Sequence, residues 1–118
     1  MRIRISKADS IFSEYIRKKA GWCQACMRIG RLETHHYFGR GHRSVRFDER
    51  NAVCLCFLCH RKFHEDPEFG RHFMIKRLGQ RQYDNLFLFA KTGSPVKKRD
   101  EYLIVEMYKK LLKKLPCD

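Results

Sequence analysis

The sequence predicts an α+β fold in which a small metal-stabilised centre is flanked by one N-terminal helix and several C-terminal helices. Apolar residues recur at helical spacing towards both ends of the 118-residue chain. Between Trp22 and His64 that periodicity stops, and cysteines and histidines cluster instead. Within that stretch the cysteines come as two matched pairs, the arrangement of a metal site rather than of scattered core thiols.

The first element is an amphipathic helix over residues 8–20. Ala8, Ile11, Phe12, Tyr15 and Ile16 share one stripe, charged residues occupy the rest, and Gly21 is placed to terminate it. Next come Cys23-Gln-Ala-Cys26 and, with 29 residues between Cys26 and Cys56, Cys56-Phe-Leu-Cys59. Each C-x2-C spacing lets two thiolates face one tetrahedral ion, and four thiolates suit a structural zinc with no open position for substrate. Cys54 stands two residues before Cys56 and competes for that role, but the spacing favours Cys56 and leaves Cys54 as a small buried residue. Cys117 near the end has no assigned role.

Arg31 to Thr34 reads as the start of a strand leading into His35 and His36, whose side chains then point to opposite faces and can do different work. His60 and His64 lie four apart, so on a helix they share a face and form a chelating pair. His42 and His72 lack such partners and read as surface or internally satisfied histidines. Between the proposed strands, Arg40, Arg43 and Arg46 alternate with Gly39, Gly41 and Ser44. Small residues there let backbone approach phosphates, which suggests a DNA-binding loop, with pairing to Glu33, Asp48 or Glu49 as the competing reading.

Helical signals return at Asp66, an N-cap candidate, with Pro67 in the first turn and Gly79 closing a helix that ends at Leu78. A further helix is expected over Gln80–Ala90. After the breaker Thr92-Gly93-Ser94-Pro95, the pairs Leu103/Ile104, Met107/Tyr108 and Leu111/Leu112 recur every four residues and predict a last amphipathic helix. Its apolar face serves either the core or a homodimer.

Composition narrows the partners. The 118 residues suit one domain, and 43% hydrophobic residues with nine Phe are enough for a core. The 26 Lys and Arg against 13 Asp and Glu leave a formal charge of +13, which favours a polyanion. No stretch approaches the ~20 apolar residues of a membrane span, and the first ten residues lack the apolar centre of a signal peptide, so a soluble, cytoplasmic protein is expected, with no membrane partner.

The histidine pattern is more specific than any of these. His35-His36, Asn51 fifteen residues after His36, His60 nine later and His64 four after that resemble the HNH nuclease motif. The segments ADSIFSEYIRKKAG, HHYFGRGHRSVRFD and NAVCLCFLCHRKFHEDPE extend the likeness, over roughly residues 8–85, to phage recombination-associated HNH proteins of the NinG and Rap type. The resemblance implies a ββα-metal core over residues 22–65, with the cysteines matching the zinc-bearing branch. It puts His35, His60 and His64 on catalytic-metal positions, His36 on the general base and Asn51 on the central asparagine.

The chemistry asks for those residue types. Phosphodiester hydrolysis needs an activated water, a counter-charge on the phosphate and stabilisation of the departing oxygen. A neutral imidazole suits the first task, and three imidazoles leave open positions on an ion, whether magnesium, manganese, nickel or zinc, for the other two. Asn51 cannot exchange protons and is expected to hold the hairpin and orient His36. The expected activity is a metal-dependent DNA endonuclease, nicking or structure-directed, with weak sequence specificity and 5′-phosphate products. The rival reading is a non-catalytic zinc-containing DNA-binding or recombination accessory module.

Overall fold

The computed structural model describes residues 3–116; Cys117 lies outside them. In chain order these form α1 (Lys7–Ala20), β1 (Leu32–His36), β2 (Ala52–Cys56), α2 (Phe57–Glu65), α3 (Pro67–Leu78), α4 (Gln80–Thr92) and α5 (Glu101–Lys114). Single 3-10 turns over Glu49–Asn51 and Lys98–Asp100 precede β2 and α5. The chain is therefore α+β, with a two-stranded sheet and five helices among the described residues.

Local signals account for most helix ends. Ser6 caps α1 through a reciprocal box with Asp9, the Asp9 amide donating to Ser6 Oγ and the Ser6 amide donating to Asp9 Oδ2. Gly21 takes φ +77°, the left-handed conformation that ends a helix and that a side chain disfavours. Asp66 caps α3 by accepting from the Phe69 amide, with Pro67 at the first helical position. α4 runs two residues past the expected Ala90, where Thr92 Oγ1 donates back to the Leu88 carbonyl.

β1 and β2 pair antiparallel, with His36 opposite Ala52, His35 opposite Val53 and Glu33 opposite Leu55. All five residues of β2 are buried, because both faces of the hairpin are covered. Ala52 and Cys54 face a core built with Phe12, Tyr15 and Ile16 of α1, Phe47, and Val105 and Tyr108 of α5. Val53 and Leu55 face a second core with Val45, Phe63 of α2, Met74 of α3, and Tyr83, Leu86 and Ala90 of α4. Strand periodicity of two sends alternate residues into the two cores, so one five-residue strand joins both helical layers.

The loss of helical periodicity between Trp22 and His64 does not mean a lack of core residues. Val45, Phe47, Val53 and Leu55 are at most 5% exposed, and the segment is the centre of the fold. On α5, Val105 and Tyr108 turn inward, while Leu103 and Met107 remain exposed. No helix of the described residues is long and apolar enough to cross a membrane.

Candidate active site and metal centres

Two donor sets form where the hairpin meets α2. In the first, one donor atom from each of Cys23, Cys26, Cys56 and Cys59 lies within 4.8 Å of the others. The first knuckle is a tight turn in which the Met27 amide donates to the Cys23 carbonyl and the Cys26 amide points at Cys23 Sγ, 3.5 Å away. The second places Cys56 at the N-cap of α2 and Cys59 in its first turn, where helix amides favour negative sulfur.

The thiol electrostatics fit a cation. Burial opposes ionisation of Cys23, but amides of Cys56, Cys26 and Ala25 outweigh it and bring that thiol down to about 6. Cys59, by contrast, is pushed well above the ordinary thiol range by burial and by hydrogen bonds to its three neighbours. Sulfurs this crowded cannot all carry charge unless a cation sits among them. Cys26 Sγ and Cys56 Sγ are 3.7 Å apart, far beyond the roughly 2.05 Å of a disulfide. The four cysteines therefore form a group that can hold a structural metal such as zinc. Cys54 is buried among apolar side chains in the α1/α5 core, outside that group, as expected.

The second set joins His35 at the end of β1 to His60 and His64 on α2, again with donor nitrogens within 4.8 Å. The three rings form a near-equilateral triangle, with centroids 4.9, 5.0 and 5.0 Å apart. Burial, then repulsion from His60, His64 and His36, holds His35 down to about 3, so it is neutral at pH 7 as a ligand must be. His72 is exposed and His42 half-buried near the Gly39 carbonyl, and neither joins a donor set.

Glu33 belongs to this set although the sequence reading gave it no such part. Its Oε1 lies 2.7 Å from His60 Nδ1. A carboxylate only accepts, so Nδ1 carries the proton and Nε2 keeps its lone pair for an ion. The signal was available: Glu33 stands two residues before His35 on β1, hence on the same face.

His36 points to the other face of the hairpin. Its ring packs 5.7 Å from Phe12, and its Nε2 is buried without a hydrogen-bond partner. Burial, then the positive charge of Arg40, lowers it to about 4. Asn51, fully buried, donates to the carbonyls of Phe38 and Val45 and accepts from the Phe38 amide. It thereby ties both ends of the loop after β1 together. No hydrogen bond runs from Asn51 to His36 among the described residues, so any orienting effect passes through the backbone it holds.

The three loop arginines do not share one role. Arg46 is 5% exposed and grips Asp9 with Nε to Oδ1 at 2.9 Å and Nη2 to Oδ2 at 2.6 Å. A buried, doubly bonded guanidinium has no free donor face for DNA, which corrects its assignment as a phosphate contact. Arg43 donates to the Val96 carbonyl and pairs with Glu101, tying the loop to the start of α5. Their partners are thus Asp9 and Glu101, not Glu33, Asp48 or Glu49. Arg40 differs: its Nε is 3.7 Å from Asp9 Oδ1, lacks a hydrogen bond, and acts electrostatically on His36.

Comparison with protein-family models, with curated proteins and with solved structures finds no match for this chain.

Proposed function

We propose that this chain is a metal-dependent DNA endonuclease of the HNH type, with zinc on the four cysteines. The observation that carries the reading is the convergence of His35, His60 and His64 at the junction of β1 and α2, with His36, unligated and neutral, next in β1 on the opposite face. A site built only for stability has no use for that second imidazole.

His35, His60 and His64 would hold a divalent ion, which when bound would supply counter-charge to a scissile phosphate and its leaving oxygen. The chain's own residues do the rest. His36, neutral at pH 7, takes the proton from the attacking water at its free nitrogen. Burial, with the charge of Arg40, keeps that ring unprotonated in the resting protein, and Arg40 offers its guanidinium to a neighbouring phosphate. Glu33 fixes the tautomer of His60, and Asn51 holds the loop that carries Arg40.

One observation favours the rival reading of a DNA-binding module that does not cut: His36 Nε2 is buried without a hydrogen-bond partner, so an attacking water has no direct access to it in this conformation. Supercoiled-plasmid conversion distinguishes the two. Metal-stripped protein re-supplied with magnesium, manganese, nickel or zinc should nick, and His36→Ala should lose roughly 100- to 10,000-fold of the rate with its fold and structural zinc intact. If both proteins bind DNA and neither cuts, the non-catalytic module replaces the nuclease.

A further inference from the structure

We infer that the groove beside the first cysteine knuckle is a stacking site for an unpaired nucleobase, with Trp22 as its platform. Trp22 is the only tryptophan in the chain and is 50% exposed. It borders two adjoining cavities of about 300 and 290 Å³, which share Trp22, Gln24 and Arg77. Phe73 adds a second aromatic wall, and Lys19, Lys76 and Arg77 surround the opening.

The charges suit a base carried on a phosphodiester backbone. Of the three cations, Lys19 alone has a carboxylate partner, Glu49 at 2.8 Å. Arg77 spends its hydrogen bonds on the Ala52 and Glu49 carbonyls, which hold the side chain in place without cancelling its charge. Glu49 also lines the groove but is paired with Lys19, so Lys76 and Arg77 leave a positive excess around the π-face, an arrangement that binds single strands, since every base has a face to stack and every linkage an anion to pair. Duplex DNA hides those faces between neighbouring base pairs, so the groove selects unpaired nucleotides.

The groove also lies along α1, the helix that packs against His36. Phe12, which packs on His36, and Lys19, which lines the groove, are seven residues apart on α1, about 10 Å along its axis. This inference rests on the nucleic-acid reading above and sharpens it: the preferred substrate has an unpaired strand beside the cleavage point.

Zinc-loaded protein should be titrated with a dT oligonucleotide and with a blunt duplex of equal length, without added magnesium or manganese. Tryptophan emission and the anisotropy of a label on the DNA are followed together. The single strand should quench Trp22 strongly and the duplex should not. Trp22→Ala should weaken single-strand affinity roughly 5- to 150-fold while leaving duplex affinity within about twofold, and Trp22→Phe should retain most of the binding. Anisotropy that reports binding with unchanged emission, and unchanged affinity for Trp22→Ala, overturns the stacking site and leaves the nucleic-acid partner standing. If no oligonucleotide changes the anisotropy, both fall.

Discussion

Replacing Arg46 with Ala separates a structural arginine from a DNA contact. Asp9 has no exposed surface, and Arg46 supplies two of its hydrogen bonds. Without that guanidinium the carboxylate keeps only the Ser6 amide and hydroxyl, with Arg40 Nε 3.7 Å away as a partial substitute. Breaking a buried ion pair from one side costs about 3–5 kcal/mol, and the nearness of Arg40 places the expected loss near the lower figure, about 3 kcal/mol. In a chain of this size that lowers the melting temperature by roughly 10–15 °C. The assay is urea unfolding of zinc-loaded protein, where the midpoint should fall with little change in slope. Asp9→Leu with Arg46→Met should recover most of the loss, because neither charge is then stranded. Below the melting transition, oligonucleotide affinity of Arg46→Ala should stay within about twofold of wild type. A stability change under about 1 kcal/mol together with a tenfold loss of affinity and a shallower salt dependence refutes the reasoning and restores Arg46 as a phosphate contact.

Three other outcomes follow from the geometry. Glu33→Gln should weaken metal affinity at the histidine set by about 10–100-fold while zinc at the cysteines is retained, as read by nickel or manganese titration; equal affinities would show that Glu33 does not orient His60. Cys59→Ser should lose the tightly held zinc, whereas Cys54→Ser should keep one zinc per chain and pay only for a buried hydroxyl, about 1–3 kcal/mol; zinc loss from Cys54→Ser would exchange the two roles. Stability should be complete above pH ~6.5 and fall as pH drops towards 4, since the unfolded chain accepts protons that burial denies to His35 and His36, His36 alone contributing a loss on the order of 3 kcal/mol. Asp9 acts in the same direction at still lower pH: burial would raise it, but the Arg46 hydrogen bond holds it below the carboxylate range, so its stabilisation also disappears on acidification. A urea midpoint that does not change between pH 7.5 and 5 contradicts the His36 assignment.

The sequence by itself determined what depends on neighbours within about one helical turn. Gly21, Asp66, Pro67 and Gly79 mark helix ends because caps act over three or four residues, whereas the Ser6–Asp9 box that starts α1 emerged only in the structure. Cys23/Cys26, Cys56/Cys59 and His60/His64 read as chelating pairs for the same reason, and the strand period separated His35 from His36 before any fold was known. Only the tertiary structure decided what joins distant segments. Arg46 meets Asp9 across 37 residues, Arg43 meets Glu101 across 58, and Glu33 meets His60 across 27. No local rule chooses among 26 basic and 13 acidic side chains, so spacing alone made the three loop arginines look equivalent. Burial then separated them: packing on both faces of the hairpin put Arg46 where a charge must be paired, tied Arg43 to the last helix, and left Arg40 beside His36.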